Sequence, residues 1–310
     1  MPNLPNDLER EIFKISAVSR PLCIPTLMLV AWRVKVWVEP ILYRTIVIWR
    51  SARFAPTPTP IEGHPTFYRK TLIPIIKSKP PPFFRDSVRH LLIHQIPEEN
   101  TQGQFILSTC SGLEDLWIFE LHPLLLPILS DFPLKRLYCG LYDLLTSNQI
   151  DFTHRLFSRL THLEVIDSRP EMNLETWSGL ALIPNLTHLA FNGLYFLSLA
   201  PFLLDRCPSL RLLVSLCAEL DEAAARIAAY EDAAELLRDL RFVVMDCGEF
   251  ELDWQTGAHT GEDYWVRAEA FANRRRSGEI DGQGGCQYRY RGAKAERRAV
   301  LKETRVEPGG

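Results

Sequence analysis

Apolar residues recur at helical spacing from the start of the chain. Leu4, Leu8, Ile12 and Ile15, with Phe13 beside them, stand three or four positions apart, which predicts an amphipathic helix with one apolar face. Pro5 suits the start of that helix, where its missing N–H would have no partner, and Asp7, Glu9 and Glu11 suit the positive end of the helix dipole. Pro21 and Pro25 forbid a continuous helix through the next stretch. A second helix is expected from about Thr26 to Glu39, with Thr26 as N-cap and Pro40 ending it. Leu27, Val30, Ala31, Val34, Trp37 and Val38 then fall on one side, while Arg33 and Lys35 face water. A stretch of about 45 residues cannot fill a core of its own size, so these faces need a partner.

The pattern then stops. Ala55 to Pro60 reads APTPTP, which favours extended polyproline geometry and acts as a semi-rigid spacer. The alternative, an SH3-type ligand, lacks a flanking basic anchor. Phe67, Leu72, Ile73, Ile75 and Ile76 form a further amphipathic run before the break at Lys79-Pro80-Pro81-Pro82.

From Val88 a weak repeat sets the architecture of the larger part. VRHLLI at 88, LEDLWI at 113, LKRLYC at 134, LTHLEV at 160, LTHLAF at 186, LRLLVS at 210 and LRFVVM at 240 follow at intervals of 25, 21, 26, 26, 24 and 30 residues. This resembles degenerate leucine-rich repeats, which supply one strand and one helical or irregular segment per turn. Helical text falls at Leu121 to Ser130, Phe152 to Leu160, Leu174 to Ile183, Leu197 to Cys207 and, most clearly, the Ala-rich Asp221 to Leu240. A doubly wound α/β fold is the rival, but its strands should be near-continuous apolar runs, and Glu114-Asp115, Lys135-Arg136 and Thr161-His162 interrupt these.

In a repeat solenoid the leucines point inward and the alternating residues line the exposed sheet. That face would carry Asp115, Trp117, Phe119, Arg136, Tyr138, His162, Glu164, His188 and Asn192, a mixture of aromatic, Arg and polar groups suited to binding a target. In the last two strands Leu212, Val214, Leu216, Phe242 and Val244 are apolar, which predicts cover on both faces. Trp254 and Tyr264-Trp265 are candidates to cap the open end. A helix over Glu262 to Arg276 would bury Trp265, Ala268, Phe271 and Ala272, and its closing Arg274-Arg275-Arg276 reads as a helix terminus rather than a nuclear signal. Ser277 to Gly285 is linker, and the basic Arg289 to Arg305 is a solvated tail rather than an RNA contact.

Composition narrows the chemistry. A net charge of −3 gives no general pull towards nucleic acid or membrane, and seven scattered cysteines without a CxxC pair point to a reducing compartment, with no disulfide framework and no zinc site. The acidic start and the charged interruptions of Ile24 to Ile48 fit neither a signal peptide nor a membrane span. Phosphate-loop, zinc-protease and serine-hydrolase motifs are absent. His162 and His188 occupy the same phase of adjacent repeats, but a His pair without Cys or carboxylate partners is a weak metal site. The sequon Asn185-Leu186-Thr187 matters only to a secreted chain. No cofactor and no catalytic role are expected.

Leu4-Pro5, Leu8, Ile12-Phe13, Leu27, Val30, Val34, Pro40 and Leu42-Tyr43-Arg44 together resemble the F-box, a module that docks on the Skp adaptor of cullin-RING ubiquitin ligases. The resemblance implies adaptor contacts at Leu4, Pro5, Leu8, Ile12, Leu27, Val30, Pro40 and Leu42. The family usually has Trp where Val34 stands and a basic residue where Trp32 stands. The expected protein is α/β: an F-box-like helical module over residues 1–50, a Pro-rich linker with an adapter helix over 51–86, an irregular leucine-rich-repeat solenoid over 87–280 and a basic tail over 281–310. It would be a cytoplasmic or nuclear substrate receptor, joining a cullin complex through its adaptor and holding an unknown target on the repeat face. The alternative is a repeat scaffold without any ligase.

Overall fold

The helical start of the chain is built on a small core. In the computed structural model α1 spans Asn6–Ser19, a 3-10 turn covers Pro21–Cys23, α2 spans Ile24–Leu27 and α3 spans Trp32–Leu42. The structure describes residues 4–49, 66–93, 101–141, 144, 151–166, 174–217, 220–230, 233–246, 250–280 and 287–288, so the spacer over 55–60 and the tail over 289–305 lie outside the described residues. Ala17, Ile24, Val34 and Val38 are fully buried together, with Phe13, Leu27, Met28, Ala31, Trp37, Ile41 and Leu42 packed against them.

Two expectations for this segment need correction. The second helix starts at Trp32, not Thr26, because α2 takes Pro25 into its own first turn and closes through the Met28 N–H to the Ile24 carbonyl. Pro40 does not end α3, which runs on to Leu42. A proline in the last turn forfeits a single ladder bond, a cost that Val34, Val38 and Ile41 offset by packing inward.

Contacts divide the chain into two units, Met1–Asp167 with Glu175–Thr187, and Ser168–Leu174 with His188–Gly310. In the first unit β1 (Thr45–Trp49), β2 (Thr66–Tyr68), β3 (His90–Ile93), β4 (Asp115–Glu120), β5 (Arg136–Gly140) and β6 (His162–Val165) lie in the order β2-β1-β3-β4-β5-β6, all parallel. From β3 onward each strand neighbours the one before it in sequence. Phe67, expected in a helix, sits in β2, and α4 (Arg69–Ser78) follows with Pro74 inside it. After α5 (Pro82–Ser87), α6 (Thr101–Thr109) and α7 (Leu126–Leu129), the connections over Phe152 to Leu160 and Leu174 to Ile183 shrink to 3-10 turns or single helical turns.

The registers align into rows. Ile46, Leu91, Leu116, Leu137 and Leu163 form one, all fully buried, and Thr45, His90, Asp115, Arg136 and His162 form the row beside it. The repeated LTHL phrase has a physical role at this edge. The Thr161 hydroxyl donates to the Lys135 carbonyl and the Thr187 hydroxyl to the Thr161 carbonyl, which extends the ladder one residue before each strand. The Asn185 side chain is also engaged, donating to the Ser158 carbonyl at 2.7 Å.

In the second unit β7 (His188–Asn192), β8 (Leu212–Cys217), β9 (Phe242–Asp246) and β10 (Gln287–Tyr288) are again parallel. Leu213, not Leu212, stands beside Phe242, so Phe242 and Val244 share a face with Leu213 and Ser215, while Val243 and Met245 continue the face of Val214 and Leu216. This shift corrects the expected alternation, and all of these side chains are buried, as cover on both faces requires. The Ala-rich stretch forms two helices, Leu220–Ala228 and Ala233–Arg238, separated by a turn in which the Tyr230 N–H donates to the Ile227 carbonyl.

Helices Phe250–Thr260 and Tyr264–Arg276 complete this unit. The Asp263 carboxylate caps the second through the Val266 N–H, and Trp265, Ala268, Phe271 and Ala272 are buried as the pattern predicts. Trp265 meets His188 edge to face at 5.8 Å, so this helix lies over the sheet face that carries His188 instead of closing an end. A side chain at Gly257 would place its Cβ 2.6 Å from that of Asp263, so the two helices need glycine where they cross. The Arg run is a working helix terminus: Arg275 donates to the carbonyls of Leu237 and Phe242, and Arg276 to that of Arg211.

Candidate docking surfaces

α1 carries two apolar stripes. Phe13 and Ala17 turn inward onto α3, while Leu8, Ile12, Ile15 and Val18 stand on the other side of the helix and are exposed, as is Leu4 just ahead of it. A heptad-like spacing that serves a helix's own core leaves polar residues outside, and here leucine and isoleucine take those places. The positions assigned to adaptor contact therefore separate. Leu4, Pro5, Leu8, Ile12 and Val30 are exposed, whereas Leu27, Pro40 and Leu42 are half-buried, Leu27 and Leu42 against the small core. Val30, expected to face inward with Val34, points outward instead.

The sequence reading left Ile15, Val18, Leu22, Leu29, Trp32 and Val36 out of the site, and all six are exposed. The regular spacing from Ile12 to Ile15 was the signal for the first of them. Leu29 and Trp32 gave none, because one lies in a turn and the other begins a helix.

Charged groups fix the module in place. Arg33 does not simply face water: its guanidinium donates two hydrogen bonds to Glu9, at 2.8 and 3.1 Å, tying α3 to α1, and this partner raises its pKa. At the other end Lys79 and Glu39 pair at 2.6 Å, and Tyr43 packs edge-on against Phe83 and Phe84 at 5.6 and 5.3 Å. The helical segment is thus joined firmly to α5 and the start of the sheet. Burial at that contact raises the Tyr43 hydroxyl's pKa.

The expected open sheet face is largely closed. Asp115, Trp117, Tyr138, Glu164 and His188 are buried, and Arg136, His162 and Asn192 are half-buried. Only Phe119 of the nine is exposed, at 46 %. Alternation in a strand gives the two faces of a sheet but does not say which is covered, and here both are. Phe119 lies at a local irregularity near the end of β4. The β4–β5 register shifts between Ile118 and Glu120, so Phe119 falls between two paired positions, its ring 6.4 Å from that of Trp117. In the polar row the His90 ring stands 3.4 Å from the Asp115 carboxylate, and Arg136 follows in β5.

Two of the buried thiols are held in their protonated form. Burial pushes Cys110 up to about 12 and Cys207 up to about 11, far from thiolate formation near neutral pH. Among the described residues no group of three or more His, Cys, Asp or Glu is placed to hold a metal, and no helix is long and apolar enough to cross a membrane. His162 and His188 fall in different units.

The fold is of the α/β class, with parallel strands joined through helical connections. Comparison with protein-family models, with curated proteins and with solved structures found no match.

Proposed function

We propose that this chain is a substrate receptor of a Skp-cullin-F-box type ubiquitin ligase, with α1 to α3 as its adaptor-docking module. One observation carries the reading: α1 presents a second apolar stripe, Leu8, Ile12, Ile15 and Val18, to solvent although its core-facing stripe is already filled. Each such side chain gains roughly 1.5 to 3 kcal/mol on full burial, less the ordering costs of association, so a partner that covers four of them has a substantial driving force. The apolar entry at Leu4-Pro5 and the supporting Leu27 and Leu42 fit the same role. From β3 onward the sequential parallel strands fit an irregular leucine-rich-repeat solenoid, while β1, which lies between β2 and β3, reverses the order at that edge as the rival doubly wound sheet does.

In this reading the chain has no covalent role. It raises the effective concentration of a target near a conjugating enzyme held elsewhere in the complex, in the cytoplasm or nucleus. With most of the sheet face closed, the target contact falls to what remains accessible, with Phe119 its foremost residue.

Co-expression of the full chain with a Skp adaptor tests the proposal. Stable co-purification that is lost in Leu8→Ala/Ile12→Ala, with an unchanged unfolding transition, is the expected result. Failure of the intact chain to bind would overturn it. The reading would then pass to an interaction scaffold without a ligase, which the firm join of Tyr43 and Glu39 to α4 and α5 favours.

A further inference from the structure

β9 ends on a carboxylate without a partner among the described residues. Asp246 is 8 % exposed, and its side chain makes no hydrogen bond and no ion pair with any of them. A nearly buried charge is costly unless an opposite charge comes to it. On the β8 side its register neighbour is Cys217, whose thiol donates to the Met245 carbonyl and supplies no cation. Arginines of the same unit are committed elsewhere. Arg241 pairs with Asp239 at 2.7 Å, Arg211 with Glu269 at 2.6 Å and Arg267 with Asp253, while Arg226 lies 5.1 Å from the centre of the Tyr195 ring.

The other side of Asp246 is the edge strand β10. Gln287 stands beside Val244 and Tyr288 beside Met245, in parallel register, and Tyr288 is the last described residue. One more step of the same ladder reaches Asp246 on β9, and the next residue of the chain is Arg289. Paired positions of neighbouring strands point to one face of the sheet at a strand spacing of about 4.8 Å, within reach of a long cationic side chain. The charges of the two stretches that meet at this edge are opposite. From Phe242 to Val266 the chain carries Asp246, Glu249, Glu251, Asp253, Glu262 and Asp263 and neither Lys nor Arg. Asp253 and Asp263 serve the two closing helices, through Arg267 and the Val266 N–H, and Glu251 stands in the first turn of the helix Phe250–Thr260. Residues 289–305 hold seven Lys and Arg against Glu296 and Glu303.

We infer that Asp246, with the acidic first turn of the helix Phe250–Thr260, is the docking surface for the chain's own basic segment Arg289 to Arg305, and that Arg289 on Asp246 is its first contact. The tether decides the occupant: no residue separates Tyr288 from Arg289, so this cation has a higher effective concentration at Asp246 than a separate partner has. The contact lengthens β10, which is two residues long by itself, and takes up basic charge that a polyanion would otherwise meet. It does not depend on the adaptor reading.

The test uses the full chain. Arg289→Lys keeps the charge and places an amine at that position, so a carbodiimide can join it to a carboxylate in direct contact. Mass spectrometry of the digested product should find position 289 linked to Asp246 at low salt, with a yield that does not change on dilution. The link should fall severalfold at about 1 M salt, where the screening length is about 3 Å. Asp246→Asn and Arg289→Ala should each speed amide exchange in β10 roughly fivefold, and the double substitution should add nothing further. Links from position 289 to other carboxylates with none to Asp246, or exchange in β10 that neither substitution moves, would overturn the inference. A link to Asp246 that is lost on dilution would make the acidic edge a contact between copies of the chain, which also overturns it.

Discussion

α1 and the helix Tyr264–Arg276 are two amphipathic helices of nearly equal length with opposite fates. In the second every large apolar group on the pattern, from Trp265 to Phe271, is buried on the sheet of its own unit, and its end is bound by Arg275. In α1 only Phe13 and Ala17 find cover within the chain, and the other stripe stays exposed. The same periodicity therefore marks a core element in one place and an interface in the other. What separates them is whether the fold supplies an opposing surface.

The sharpest way to break this contrast is to truncate one side chain from each helix. Trp265→Ala should destabilise the chain by about 3 to 5 kcal/mol, the cost of emptying a packed aromatic site, as read by urea unfolding. Leu8→Ala should stay within about 0.5 kcal/mol of wild type in the same experiment, because its site is already in water. Equal losses at the two positions would mean that α1 is as internal as the closing helix. A somewhat smaller effect is expected at Arg275→Ala, about 3 kcal/mol, from leaving buried carbonyls without donors. The corresponding change on the helical module, Arg33→Ala, should leave the unfolding midpoint nearly unmoved while loosening α1 from α3, seen as faster amide exchange in α1.

A pH experiment sharpens the comparison next. Burial works to raise the Asp239 carboxyl, but hydrogen bonds and charge from Arg241 bring it net below its ordinary value. With a lowered folded pKa, its stabilisation is complete above the unfolded value of about 3.9 and is lost as pH falls through the folded one. Asp239→Asn should therefore flatten the acid limb of the stability curve below about pH 4. Asp253 has the opposite sign. Burial raises its pKa although Arg267 opposes this, so it weakens the fold as pH rises through the raised value, and Asp253→Asn should remove that decline. The smallest effect belongs to the join between α3 and α4: Lys79→Met should cost about 1 kcal/mol or less, and salt should narrow the difference from wild type.

The helical start, the parallel strands and the closing helix were legible because each depends on periodicity, and burial follows periodicity wherever one face is obligatory. What failed was information that periodicity does not hold. Alternation placed Asp115, Trp117 and Tyr138 together on one face of the sheet, yet nothing in it said that the face is covered. The one-residue offset that brings Leu213 beside Phe242 was concealed by the aligned phrases, which set Leu212 against it. Pro40 misled for a related reason, since a proline's effect depends on how many bonds remain to be made beyond it. At the candidate site, Leu8 and Ile12 were found by their spacing, while Leu29 and Trp32 lie where no period runs.

The buried row Ile46, Leu91, Leu116, Leu137 and Leu163 has a consequence for how such a chain changes in length. Each later member stands at the same register position of its own strand, 25, 21 and 26 residues after the one before from Leu91 onward. A strand with its connection therefore brings the chain back to the same row whichever of these lengths it takes. The connections between strands already differ in form, from helix α6 to the 3-10 turn Arg155–Phe157, without disturbing the row. Length and connection can drift in this protein while the seam that holds the strands in step is kept by one residue in each.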